Sequence, residues 1–291
     1  MSADLIANVV IAGVLTGLVY GLMALGLSVI FGVVRVVNFA HGEMMTVAMY
    51  AATVLFAGLG LGLDPFLAII PVGAAFFVFG YALQWVVINP FVTRPEHAQF
   101  MLLVAVAIIL VNALLAIFGP DARGVQTDYQ LDSLAMGGIL IDKTRLYAAG
   151  VALATALGLL VFFKKTRVGT AIRACADNHL GALIVGLHVR RLYALTFGIG
   201  AVCVAVAGCA MVALVDVTPS AGPAFTLLAF VIVIVGGLGS MAGALLGGVL
   251  IGVSEALAGL LVAPSAKSMF SFGLLIVVLL LRPRGLLGRK T

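Results

Sequence analysis

Asn38, His41 and Glu43 stand close together in the run Asn38-Phe39-Ala40-His41-Gly42-Glu43, between two long apolar stretches. An amide, an imidazole and a carboxylate are costly to bury in apolar surroundings, so they require mutual partners, water or a passing solute. In a helix, Asn38 and His41 would share a face at i, i+3, with Gly42 leaving room beside them. Two uses fit these residues: a gate or lining for a solute path, or a helix cap at the membrane edge with an internal hydrogen-bond network. No other cluster competes. Glu255 and Asp216 stand alone in the sequence and read as a helix-end anchor and a loop carboxylate. Cys175, Cys203 and Cys209 have neither metal-ligand nor CxxC spacing, so no metal site is expected and their role is structural. The sequence holds no HExxH, no GxSxG and no Gly-x4-Gly-Lys-Ser/Thr phosphate loop. An enzyme is therefore not expected, and neither is a cofactor or nucleotide bound by this chain.

The elements that must position the cluster are membrane helices. Of 291 residues, 64% are hydrophobic and 9% charged, a balance that cannot cover a water-facing surface. A bilayer span takes roughly 20 apolar residues, because each backbone amide must be bonded within its own segment. Eight apolar stretches satisfy this: 5–34, 44–63, 66–88, 100–119, 146–163, 192–215, 224–262 and 268–281. Runs such as Phe100 to Phe118 are apolar on every face, whereas a barrel needs short strands of alternating polarity. The opening segment Met1 to Asn8 lacks a basic n-region, so the first stretch reads as a retained span. An all-α polytopic bundle forming a single domain over residues 1–291 is expected.

Charge distribution sets the number of crossings. The net charge of +5 resides in loops beside apolar spans, a topology signal rather than a nucleic-acid footprint. Lys164, Lys165, Arg167, Arg173, Arg190 and Arg191 make one interval basic, and Arg282, Arg284, Arg289 and Lys290 make the tail basic, so both are expected in the cytoplasm. An even number of crossings must separate them. The long 224–262 stretch must then cross twice, with the break at Gly236, Gly237 and Gly239. Parity further places Arg94, His97 and Arg35 inside and 121–142 outside. The bundle has nine crossings if 5–34 is one tilted helix, or ten with a cytoplasmic N-terminus if it is divided. Broken helices in corresponding halves can mark a substrate route in transporters. Close packing is the competing reading for the glycines, through the GxxxG spacings Gly13, Gly17, Gly21 and Gly243, Gly247.

The interval 164–191 is too polar to span and too apolar for a free linker. Ile172, Cys175, Ala176, His179 and Leu183 fall at helical spacing, with Arg173 and Asp177 an i, i+4 charge pair on another face. Such a helix suits docking into a groove on a partner, or lying on anionic headgroups.

Three segments resemble the membrane subunits of ABC importers for branched-chain amino acids. Gly17-Leu-Val-Tyr20-Gly-Leu-Met-Ala24-Leu-Gly26-Leu followed by Asn38-Phe-Ala-His-Gly42 looks like that family's N-terminal signature. Arg167-Val-Gly169 with Arg173-Ala-Cys-Ala176 and Gly186 is similar to its cytoplasmic coupling loop. Gly236-Gly-Leu-Gly239-Ser with Gly243-Ala and Gly247-Gly248 is similar to its late glycine-rich segment. The segment Asp121 to Asp142 and the triplet Asn178-His179-Leu180 have no match to the pattern.

The resemblance implies a multi-pass permease of the bacterial inner membrane that works by alternating access. The polar cluster and the glycine break give the candidate translocation pathway, Asn38, His41, Gly42, Glu43, Gly236, Gly237 and Gly239. An ATPase-coupling loop would involve Arg167, Gly169, Arg173, Ala174, Ala176, Asn178 and Gly186. The implied partners are a second homologous permease subunit, two cytoplasmic ATPases carrying ATP-Mg, an external solute-binding protein and membrane lipid. Membrane subunits importing urea or short-chain amides are closely similar. A self-contained secondary transporter is the alternative outside this class, and a structural or assembly role would tolerate changes at His41 and Arg173.

Overall fold

The computed structural model describes residues 3–58, 61–136 and 139–288. The basic tail residues Arg289 and Lys290 lie outside the described residues. The order is α1 (Ala3–Val34), α2 (His41–Thr53, continued by a π-helical turn, Val54–Gly58) and α3 (Pro65–Ala82, continued through Leu83–Ile88). Next come α4 (Glu96–Phe118), a two-stranded antiparallel hairpin of β1 (Ser133–Met136) and β2 (Ile139–Asp142), and α5 (Lys143–Lys165). Two short helices follow, α6 (Arg167–Asp177) and α7 (His179–Ile184), and then α8 (Val189–Val212), α9 (Gly222–Gly236), α10 (Met241–Leu261) and α11 (Lys267–Leu281). The nearly all-α polytopic bundle expected from composition is present.

Among the described residues, eight helices are long and apolar enough to span, namely every one from α1 to α11 except α2, α6 and α7. Their burial sorts them into two classes. The most apolar windows of α8 and α1 are 83% and 78% buried, whereas those of α4 and α11 are only 11% buried. α1 is the central post, packed on α5, α8, α9 and α10.

The α1–α10 seam is made by glycines. A Cβ at Gly17 would meet Gly248 O and Val249 Cα at 2.7 Å, and Gly13 and Gly21 meet Val253 and Leu245 in the same way. Bare backbones let the helices approach without a side chain between them, which is how helices gain dispersion contact in lipid. For these glycines the packing reading holds. Residues 13, 17 and 21 face 253, 249 and 245 in reverse order, so the two helices are antiparallel.

This polarity fixes the sides. Asn8 Oδ1, near the start of α1, accepts the Leu140 N–H at 2.9 Å, and the Tyr129 hydroxyl donates to Asp64 at 2.6 Å. The segments 3–8, 61–64, 119–136 and 139–142 therefore share one side. Burial and the Asp64 carboxylate hold the Tyr129 phenol well above its usual pKa, so it remains a donor there. At the other end Arg35 lines a cavity with Ala176, Asp177, Gly239 and Arg284, which gathers the basic interval and the tail on the opposite side. The chain thus starts on the external side, reaches the cytoplasmic side at Arg35 and is external again at Asp64.

Residues 35–58 are therefore a ninth crossing, although α2 is too short and too polar to stand among the eight. α1 is unbroken over 32 residues, so the ten-crossing alternative and a broken first helix both fall. The late stretch does cross twice, as α9 and α10, turning at Gly237 and Gly239, which adopt φ of 107° and 76°. A cysteine at position 4 (Asp4→Cys) is expected to react with a membrane-impermeant maleimide added from outside to intact cells. Labelling only after permeabilisation would contradict the nine-crossing arrangement.

Candidate functional site

The ninth crossing is discontinuous. α1 ends where Arg35 takes a positive φ of 60°, with its N–H bonded to Phe31 O at 3.1 Å. Residues 35–38 carry no regular structure, 39–40 form a turn, and α2 starts only at His41. The His41 ring Nε2 lies 2.9 Å from Met23 O, which places the start of α2 beside the central part of α1, within the membrane.

A helix start inside the membrane exposes backbone N–H groups that no water can satisfy. The neighbouring side chains meet them. Asn38 Oδ1 accepts the Ala40 N–H at 3.1 Å, and Asn38 Nδ2 lies 3.6 Å from Met44 Sδ. Thr226 Oγ1 of α9 accepts the Gly42 N–H at 2.8 Å and donates to Glu43 Oε2 at 3.0 Å. Thr46 donates back to Gly42 O at 3.0 Å. Glu43 sits in the first turn of α2, where the helix dipole favours a carboxylate.

Glycines make the room. A Cβ at Gly42 would collide with Gly222 O and Thr226 N, so α2 and α9 touch backbone to backbone. Gly222 leaves space for Glu43, and Gly26 of α1 lets α8 approach, a Cβ there meeting Gly200 O at 2.7 Å and Cys203 Cβ at 3.0 Å. Since Met23 O can only accept, Nε2 carries the proton in this contact. His41 Nδ1 has no hydrogen-bond partner among the described residues.

Asn38, His41 and Thr46 are wholly buried, and Glu43 is 4% exposed. In this conformation the cluster is a closed joint of α1, α2 and α9. The expected shared face of Asn38 and His41 is not formed, because Asn38 precedes the helix and acts as a turn-forming cap. Thr226 is the member that sequence reasoning missed, since 183 residues separate it from Glu43 and no local pattern connects them.

The other candidates lie elsewhere. Gly236 packs against Gly243, and Gly237 touches Gly288 and Leu287 at the cytoplasmic turn. Gly239 lines the cytoplasmic cavity of about 720 Å3 with Phe31, Arg35, Ala176, Asp177 and Arg284. These glycines do not join the Asn38–Glu43 cluster.

The basic interval is two helices rather than one. Thr166 caps α6 by accepting Gly169 N–H at 3.0 Å, and Gly169 lies against the Phe162 and Phe163 backbone. Ile172 and Cys175 are buried, whereas Arg173 and Ala174 face outward. Asn178, at φ −149° and ψ 99°, then breaks the helix and caps α7 by accepting Gly181 N–H at 2.9 Å. That break corrects the expected stripe: His179 and Leu183 turn outward and Ala182 takes the buried position. Gly186 ends α7 at φ 83°. The result is an apolar tip of Leu180, Leu183, Ile184 and Val185, all more than half exposed.

Residues 9–279 match the family model described as branched-chain amino acid transport system / permease component. The chain belongs to this permease family. It is 32% identical to the high-affinity branched-chain amino acid transport system permease protein BraD of Pseudomonas aeruginosa, over 95% of this chain and 94% of that protein. Identity to LivH of Escherichia coli K12, which carries the same description, is also 32%, with the same shares covered. A probable branched-chain amino acid transport permease LivH of Methanocaldococcus jannaschii is 27% identical, over 92% and 88% of the two chains. A chain of PsaBC from Streptococcus pneumoniae, solved in complex with a Fab, superposes with a TM-score of 0.52 at 14% identity, covering 94% of this permease and 91% of that chain. This last likeness is one of fold.

Two substitutions separate packing from hydrogen bonding at the joint. Gly42→Ala forces α2 from α9 and is expected to cost about 3 kcal/mol, read as loss of folded protein in detergent. Thr226→Val keeps the shape but orphans the Gly42 N–H, costing about 1–3 kcal/mol in the same assay.

Proposed function

We propose that this permease is the membrane subunit through which an ATP-driven importer moves branched-chain amino acids across the inner membrane. The reading is carried by family membership over residues 9–279, supported by relatives described as branched-chain amino acid permeases. Its partners are a second permease subunit, two cytoplasmic ATPases that bind ATP-Mg, and an external solute-binding protein. The whole chain, 1–291, acts as one membrane domain.

Two structural features support the division of labour. The apolar tip Leu180, Leu183, Ile184 and Val185 projects on the cytoplasmic side, where it would insert into an ATPase groove. In this reading Arg167, Gly169, Arg173, Ala174, Ala176, Asn178 and Gly186 shape and present that tip. The second feature is the joint at His41. A helix that starts inside the membrane has few local bonds to lose, so a small shift of α9 against α1 reopens it. Asn38, His41, Gly42 and Glu43 then act as the gate, and Gly236, Gly237 and Gly239 form the cytoplasmic turn beside the exit. ATP-driven closure pushes on the tip and moves α6 against the foot of α1.

Reconstitution tests this directly. Proteoliposomes holding both permeases, both ATPases and the binding protein are expected to accumulate leucine or isoleucine only with ATP. Uptake by the permeases alone under an ion gradient would make the protein a secondary transporter, and uptake restricted to urea or amides would change the substrate. Ile184→Asp is expected to weaken retention of the ATPases by about tenfold. His41→Ala should reduce uptake while leaving assembly intact; unchanged uptake would remove the gate assignment.

A further inference from the structure

On the external side, α1, α8 and α10 and the starts of α5 and α11 enclose a second polar cavity, of about 430 Å3. Glu255, which stands alone in the sequence, lies inside it rather than at a helix end. Its Oε1 accepts the Ser271 hydroxyl of α11 at 2.8 Å, and the Tyr20 phenol of α1 stands beside it. At the mouth are two cations, Arg145 in the first turn of α5 and Lys267 at the first position of α11.

These opposite charges share one cavity without closing on each other. Arg145 pairs with Asp142 at 3.6 Å, and neither ion pair among the described residues joins Glu255 to Arg145 or Lys267. Val9, Leu214 and Val215 supply an apolar wall. A carboxylate set deep and cations set at the rim, with an aliphatic wall between them, complement a small molecule carrying an ammonium, a carboxylate and an apolar side chain. In apolar surroundings such charge-assisted contacts are stronger than at an exposed surface.

We infer that this cavity is an external receiving site for the zwitterion of an aliphatic α-amino acid. The ammonium binds Glu255 beside Tyr20, the carboxylate binds Lys267 and Arg145, and the side chain lies on Leu214 and Val215. The inference rests on the amino-acid importer reading and adds the place where the solute is held on entry. An ethanolamine lipid headgroup carries the same pair of charges, so the test separates the two.

Leu260 lines the cavity and the three native cysteines are buried, which allows one introduced cysteine to report. In the complete transporter, reconstituted in phosphatidylcholine, Leu260→Cys is labelled by an external membrane-impermeant maleimide. Saturating isoleucine is expected to slow labelling by about tenfold. Isoleucinamide, without the carboxylate, and the matching 2-oxo acid, without the ammonium, should not protect. Adding Glu255→Gln should abolish protection while leaving the unliganded labelling rate, and hence the cavity, intact; if that variant fails to assemble, Lys267→Met carries the same test. Equal labelling with and without isoleucine, or equal protection by all three compounds, overturns the site. Slowing that follows phosphatidylethanolamine content and ignores amino acids assigns the cavity to lipid and also overturns it. A transporter that takes up isoleucine without protection refutes only this site, whereas one that takes up no amino acid refutes the importer reading.

Discussion

The structure depends on how the backbone at the start of α2 is satisfied where no water is available. An unpaired N–H in an apolar medium costs several kcal/mol, so a helix can begin there only if side chains accept its first donors. Asn38 takes the Ala40 N–H locally, and Thr226 takes the Gly42 N–H from α9. His41 ties the same point to Met23 O. Three separate segments thus meet at one short stretch of chain, and their relative placement follows from it.

Small residues are the geometric condition for that meeting. Gly42 and Gly222 remove side chains at the points where the α9 backbone and Glu43 must fit, and Gly26 does so where α8 meets α1. The same device holds α1 to α10 through Gly13, Gly17 and Gly21. Its consequences differ in the two places. Along α1 and α10 the contact is long and apolar and makes a rigid post. At α2 it is short and held by hydrogen bonds from Thr226 and Asn38.

The two ends of the molecule are built differently. On the external side the β-hairpin, the Tyr129–Asp64 bond and the Lys143–Asp132 ion pair at 2.8 Å brace the loops over the bundle. On the cytoplasmic side α6 is anchored by Ile172 and Cys175, whereas α7 leaves its apolar residues outward.

Much of this was legible in the sequence because lipid imposes simple rules. Apolar composition required helices, charge parity required α9 and α10 to be separate crossings, and Asn38, His41 and Glu43 were identifiable as polar groups where polarity is costly. Periodicity misled at 172–183, because Asn178 breaks the helix by accepting a backbone N–H, a choice that hydrophobic spacing does not register. The tertiary structure alone decided that α1 is unbroken, that Asn38 caps a turn instead of sharing a face with His41, that Thr226 completes the cluster, and that Glu255 lies in a cavity with Tyr20, Arg145 and Lys267. Each of these is a contact between distant parts of the chain or a competition between local and distant hydrogen bonds. Local sequence fixes which groups need partners; only packing determines which partners they find.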